Sequence, residues 1–315
     1  NKASIMNNIK FIKGNIFTSR MQTLVNTINC MGVMGRGIAL EFKYRFPLMF
    51  EQYSKFCDEN YIEIGKLWIY NIPKSNNKIL NFPTKKHWKY PSKLEYLEKG
   101  LNKFLETYKE KGITSIAFPM LGALNGGLDP EKVILLMSDY LSYCDIPVEI
   151  YEFDKNAKDD LIDLFKISLT NYSLKELENL IGLKINTLKQ LKLVFENNDI
   201  RNLIQLEKIK GIGDETIKSC YLFAMKLKDN QNISQSLFVN IFGEENLQVA
   251  NMSSFNNYEK TYGLSEKVTL TGLDVQTIQK IENKDEVSII AIKTYCKALK
   301  INFEDFILNN YVSVR

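Results

Sequence analysis

The run Asn26-Thr27-Ile28-Asn29-Cys30-Met31-Gly32-Val33-Met34-Gly35-Arg36-Gly37-Ile38-Ala39 joins a β-type segment to a helical one through three glycines. Glycine lets the backbone approach a ligand closely, and the helix that follows offers unpaired N–H groups and the positive end of its dipole. The run therefore reads as a phosphate cradle. No Gly-Lys-Ser/Thr follows, which excludes a P-loop, and the Rossmann glycine spacing is absent. A second glycine turn, Pro119-Met120-Leu121-Gly122-Ala123-Leu124-Asn125-Gly126-Gly127-Leu128, again follows a strand and precedes a helix. Two such loops at the carboxyl ends of strands can grip a diphosphate from both sides.

Outward from these loops, short β-type runs alternate with longer helical patterns between Ile9 and Phe153. The expected strands are Ile9–Ile12, Thr23–Ile28, Leu67–Asn71, Lys78–Phe82, Ser115–Phe118 and Val148–Phe153. The expected helices are Ile38–Arg45, Pro47–Cys57, Ser92–Lys111 and Pro130–Tyr143, two of them opened by a proline, which suits a helix's first turn. This alternation predicts an α/β fold, a mostly parallel or mixed sheet covered by helices. Beyond the acidic and polar stretch Asp154–Asp163 the pattern is helical, without a convincing strand, and a second break falls at the turn-forming Asp229–Ser236. Three modules are expected, 1–154, 155–232 and 233–315, with no internal repeat evident.

The 315 residues, 45% of them hydrophobic, suffice for several cores. No apolar stretch approaches the ~20 residues needed to cross a bilayer, and the polar opening lacks a signal peptide's apolar run, so a soluble cytoplasmic protein with no membrane partner is expected. Five scattered cysteines without a Cys-x-x-Cys pair, and a single histidine, argue against a metal site or a disulfide framework. Of the net charge of +4, all lies in the first half: residues 1–154 carry 20 Lys and Arg against 16 Asp and Glu, and the remainder 21 against 21. Electrostatic attraction to nucleic acid should therefore centre on the first half.

Gly14-Asn15-Ile16, the two glycine loops and the run Asn81-Phe82-Pro83-Thr84-Lys85-Lys86-His87-Trp88 together resemble the macrodomain family over about residues 9–153. Within it they are most similar to DarG-type antitoxins, DNA ADP-ribosyl glycohydrolases that oppose DarT toxins. The resemblance implies a macrodomain over 1–154 followed by an all-α region, with ADP-ribose or ADP-ribosylated single-stranded DNA as ligand and no cofactor. It places adenine near Asn15 and Ile16, where macrodomains more often carry aspartate, and the distal ribose near Asn26 and Asn29. Gly32, Gly35 and Gly37, with Val33, Met34 and Ile38 between and beside them, would border the ribose and phosphates. Gly122, Ala123, Asn125, Gly126 and Gly127 would close over the diphosphate, and Leu124 stands where the DarG-like pattern expects glycine.

The same resemblance makes Lys85 the catalytic residue. Cleaving a ribose–base bond passes through a cation-like transition state at the anomeric carbon, so the ribose must be fixed and the base released. A lysine serves as nucleophile on that carbon, which needs a neutral amine, or as acid towards the departing thymine; the sequence leaves both open. Around it Lys86, His87, Trp88 and Lys89 mix cations with aromatics, the composition expected where phosphates are neutralised and bases stack.

In the second half, Leu206 to Ile217 resembles a helix-hairpin-helix motif, whose Gly211-Ile212-Gly213 turn would face a DNA phosphate. The segment from Tyr262 to Phe306 resembles a Cro-type helix-turn-helix, about two residues short between Ser265 and Gly272, with Gln276 placed towards a base edge. Zero net charge on this half leaves DNA and a protein partner, such as a cognate DarT-like toxin, as equal alternatives. Two functions compete: removal of ADP-ribose from thymidine in DNA as part of a toxin–antitoxin pair, or non-catalytic sensing of ADP-ribose coupled to the helical region.

Overall fold

The computed structural model describes residues 8–242, 264–282 and 289–301. The described residues up to Lys226 form one compact unit and those from Leu227 a second. Strands β1 (Ile9–Gly14), β2 (Thr23–Asn29), β3 (Trp68–Asn71), β4 (Lys78–Lys85), β5 (Ile116–Pro119) and β6 (Val148–Phe153) form one sheet in the order β1-β6-β5-β2-β4-β3. All neighbours run parallel except β3 and β4. The sheet is therefore mixed, and the carboxyl ends of β1, β2, β4 and β5 share one edge. Both glycine loops leave from that edge.

Helices cover both faces: α1 (Gly37–Arg45) and α2 (Pro47–Asp58) on one, α3 (Leu94–Thr107) and α4 (Pro130–Leu141) on the other. Side chains alternate across a strand, so Leu80 and Phe82 of β4 pack with Leu97, Leu101, Phe104, Val133 and Met137, while Ile79 packs with Phe42, Met49 and Tyr53. A sheet buried on both faces explains why its strands read as apolar runs rather than alternating ones.

Two elements differ from their expected bounds. Helix α3 starts at Leu94 rather than Ser92, because Lys93 is extended (φ −126°, ψ 144°) and the Ser92 N–H donates to Gly126 O at 2.9 Å instead of entering a helix. Strand β4 runs past Phe82 through Pro83 to Lys85. Strand β3 pairs only as far as Asn81, so the later residues of β4 have an open side, the setting in which a strand tolerates proline. Ile28 pairs with Pro83 and Asn29 with Lys85, which makes Thr84 the extra residue of a bulge.

Helices α5 (Ile162–Asn171), α6 (Leu174–Ile181), α7 (Ile185–Asn197) and the start of α8 (Asp214–Phe242) lie in the same compact unit as the sheet. Two of their turns are alike. Leu177, Glu178, Gly182, Thr187 and Lys189 recur at constant offset as Leu206, Glu207, Gly211, Thr216 and Lys218. Gly182 (φ +78°) and Gly211 (φ +88°) both turn the chain in the left-handed region, and Leu188 and Leu191 are buried as Ile217 and Cys220 are.

Arg45, the last residue of α1, is buried between this helical segment and the sheet layer. Its Nη1 pairs with Asp160 at 2.9 Å, its Nη2 lies 3.8 Å from Asp159, and its guanidinium stacks 3.8 Å over the Phe17 ring. Asp159 also accepts from the backbone N–H of Leu161, Ile162 and Leu203. One turn back on α1, burial lifts the Glu41 carboxyl to about 7, with Asp159 and Asp160 adding to the rise and Arg45 and the Tyr221 hydroxyl opposing it. The folded chain thus holds a proton that the unfolded chain, near 4.5, releases, and stability falls as pH rises between about 4.5 and 7. Glu41→Gln should flatten that slope and raise stability above pH 7 by about 1–3 kcal/mol, read from urea midpoints at pH 5 and pH 8.

In the second unit, the helices Leu264–Thr271, Val275–Glu282 and Ile289–Ala298 pack around Ile278, Ile281, Tyr295, Cys296 and Leu299. Tyr262, Gly263, Asp305 and Phe306 of the expected helix-turn-helix lie outside the described residues. Among the described residues no helix is long and apolar enough to cross a membrane.

Candidate functional site

Three loops from the carboxyl edge of the sheet converge on Asn125. Gly37 (φ +59°) has no Cβ to offer, and the position a Cβ would take is filled by the Asn125 side-chain amide, which brings the first loop against the second. Lys85 Nζ donates to the Asn125 carbonyl at 2.5 Å, and Ser92 N donates to Gly126 O, which ties the segment after β4 to the same loop. Gly37→Ala would meet both a positive φ and the Asn125 amide. We expect it to force the two loops apart and to lower the melting temperature by a few degrees, read by scanning calorimetry.

The loop after β2 is shaped by Asn29. Its Oδ1 accepts from Met31 N (2.9 Å), its Nδ2 donates to Val33 O (2.6 Å), and the Tyr53 hydroxyl donates to its backbone and side-chain oxygens (2.8 and 3.0 Å). Asn29 is thus a loop-former, with Gly32 (φ +74°) making the turn against Ser54 and Cys57. Val33 is exposed, Met34 is buried, and Gly35, Gly37 and Ile38 lead into α1, the last of these half-buried. Asn26 lies fully buried beneath Met34 and donates to Asn81 Oδ1 at 2.9 Å, while its own Oδ1 has no partner in the protein. A buried acceptor left unpaired costs about 1–3 kcal/mol, so it marks a place where a ligand hydroxyl would be welcome.

Asn15 caps the short 3-10 turn Ile16–Thr18, its Oδ1 accepting from Phe17 N at 3.0 Å, and both Asn15 and Ile16 are buried beneath the surface. In the second loop Gly122 (φ +64°) and Gly127 (φ +73°) are left-handed, Ala123 is half-buried and Leu124 is exposed. A Cβ on Gly126 would strike the Gly122 carbonyl and the Ser92 hydroxyl. Ser92 is buried, and its Oγ has no partner. Ser92, Tyr53 and Asn81 join the site only through contacts distant in the chain, so Asn81 reads as part of a strand-end run and Ser92 as a helix start, and neither they nor Tyr53 are marked as site residues by the sequence.

The bulge at Thr84 sets Lys85 opposite Asn29, at the meeting point of all three loops. Bulges commonly re-aim a side chain in this way. Partial burial holds the Lys85 ammonium below the ordinary lysine range, which enlarges its neutral fraction. Cys30 offers no rival nucleophile, since burial pushes its thiol up to about 11. Beyond Lys85, His87 stacks on Trp88 (ring centroids 5.7 Å) and lies 5.2 Å from Tyr90, and Lys89 sits 5.1 Å over Trp88. Lys86 reaches towards the Tyr96 ring at 5.7 Å. Across residues 30–38, 85–93 and 119–128 there are five cationic side chains, Arg36, Lys85, Lys86, Lys89 and Lys93, and no carboxylate.

The remaining expected site residues lie elsewhere. Gly211 and Gly213 are exposed in the turn before α8, followed directly by Asp214 and Glu215 in its first turn. Those carboxylates oppose an anion there. Gln276 is exposed on the helix Val275–Glu282, whose start is capped by Asp274 through Thr277 N (2.8 Å).

A family model for the Macro domain matches residues 25–137, the span that holds β2, both glycine loops and Lys85. The first part of this chain is a macro domain. Over 153 residues the chain is 40% identical to a protein of Thermus aquaticus named DNA ADP-ribosyl glycohydrolase, a match covering 48% of this chain and 42% of that protein. It is 38% identical over 161 residues to a DNA ADP-ribosyl transferase-DNA ADP-ribosyl glycohydrolase fusion protein of Thermosipho africanus, covering 46% of this chain and 42% of the fusion. Among solved structures, the macrodomain of Thermus aquaticus DarG is similar at 40% identity with a TM-score of 0.44, over 46% of this chain and 97% of that one. The chain thus spans about two fifths of the length of these full-length relatives. The family model ends at residue 137, before the helical region begins.

Proposed function

We propose that the macro domain removes ADP-ribose from thymine bases in single-stranded DNA, and that the chain acts as antitoxin to a DarT-like DNA ADP-ribosyltransferase. The observation that carries this reading is Lys85, delivered by a bulge to the one point where both phosphate-type loops and the basic segment meet. The relatives named DNA ADP-ribosyl glycohydrolase support it, and the Thermosipho africanus fusion supports a transferase as the partner. Gly37, Gly122, Gly126 and Gly127 let backbone approach the diphosphate, Asn26 Oδ1 accepts a ribose hydroxyl once the Met34 side chain is displaced from above it, and Asn15 and Ile16 border the adenine. In the helical region, Asp214 and Glu215 beside Gly211 and Gly213 favour a protein surface, the toxin, over a DNA phosphate.

Cleavage breaks the bond between the anomeric carbon and the thymine nitrogen, with the electron pair leaving on the base. Lys85 takes one of two roles. As a free amine it attacks the anomeric carbon, and water later releases the ribose; as an ammonium it gives its proton to the departing thymine and water attacks directly. Single-turnover release from an ADP-ribosylated oligonucleotide, followed against pH, tests both. Attack predicts a rate that rises and levels off at an inflection below the ordinary lysine range, because only the neutral amine reacts. Proton donation predicts a fall through the same inflection. A rate flat across that range, or no release at any pH, contradicts the role given to Lys85.

A further inference from the structure

We propose that Leu124, with the exposed rings of Trp88 and Tyr90, forms the rim that holds the modified base and its unpaired neighbour. The inference rests on the DNA glycohydrolase reading above and extends it to how the strand is recognised. Leu124, Tyr90 and Trp88 are 69%, 65% and 49% exposed, large apolar side chains left in water on two loops that hydrogen bonds tie together. Leu124 directly precedes Asn125, whose carbonyl holds Lys85 Nζ, so it stands one residue from the reacting amine. Its backbone is outside the left-handed region, and its side chain projects to solvent instead of narrowing the loop.

Charge decides what such a rim receives. Lys89 sits over the Trp88 ring, Lys86 and Lys93 lie over Tyr96 on the same segment, and the loops carry no carboxylate, which fits a polyanion. Paired bases hide their faces, and an apolar protein surface would leave the cations unmatched. An unpaired strand satisfies both features, with phosphates on the lysines and bases on the rings. Leu124 then supplies the apolar wall beside the glycosidic bond and keeps stray water from that side.

Binding measurements on the full chain in a Lys85→Ala background, which holds the substrate intact, test the rim without needing turnover. The probes are free ADP-ribose, an ADP-ribosylated single-stranded oligonucleotide, and the same oligonucleotide paired with its complement. The modified single strand should bind more tightly than free ADP-ribose and than the duplex. Leu124→Ala and Trp88→Ala should each weaken the single strand about fivefold or more while leaving ADP-ribose within about twofold, and Leu124→Met should retain binding. Equal loss for both ligands would make Leu124 part of the ADP-ribose cradle, and unchanged single-strand binding would remove it from the base contact; either result overturns the proposal. Failure of the glycohydrolase reading shows separately, as absence of release by the unmutated chain whatever the binding pattern.

Discussion

Lys85→Ala should lower release of ADP-ribose from modified DNA by at least about a hundredfold, while the calorimetric Kd for free ADP-ribose stays within about twofold. The split follows from where the amine sits. The glycine loops that would grip the diphosphate keep their own ties, Ser92 N to Gly126 O and the Asn125 amide against Gly37, after Nζ is gone. Only the amine proposed to act at the anomeric carbon disappears, together with its hydrogen bond to the Asn125 carbonyl. Lys85→Arg should not restore the rate, since a guanidinium does not shed its proton and its fork is a poor match for a point contact. Joint loss of binding and release would instead make Lys85 a latch between β4 and the second loop.

Arg45→Met should destabilise the first compact unit by about 3–5 kcal/mol, because it leaves the carboxylates of Asp159 and Asp160 facing a buried, uncharged side chain. For a unit of this size that corresponds to roughly 6–20 °C in melting temperature. Adding Asp160→Asn should recover part of the loss, since the second change removes one of the stranded charges. ADP-ribose affinity should fall as well, because Arg45 stacks on Phe17, next to the residues assigned to adenine. A shift of under about 1 kcal/mol would mean that the guanidinium adds no more than an exposed pair does.

Much of this fold is legible in the sequence because its signals are local. Short apolar runs between turn residues mark all six strands, and Pro47 and Pro130 mark two helix starts. The misplaced start of α3 shows the limit: Ser92 reads as helical, yet its N–H is taken by Gly126 in a loop far along the chain. Similarly, Pro83 reads as the end of a strand, and only the pairing partner of β4 reveals the bulge that carries Lys85. In the site, glycine spacing exposes the two cradles. It cannot show that Asn29 is spent on shaping its loop, that Asn26 is sealed under Met34, or that Ser92 backs Gly126. Arg45, Asp159 and Asp160 fail for another reason. Charged residues read as solvent-facing, and only the pairing of Arg45 with Asp159 and Asp160 in the folded chain shows them as partners shielded from water.

The proposed reaction unmakes an ADP-ribose–thymine bond in DNA. Mass spectrometry of a single-stranded oligonucleotide carrying one ADP-ribosylated thymine, after incubation with the full chain, tests it most directly. The expected products are the mass of the unmodified strand together with free ADP-ribose, and neither should form with Lys85→Ala. A strand that keeps its full modified mass in the presence of the unmutated chain, under conditions where ADP-ribose binds, would contradict it and leave a sensor in place of an enzyme.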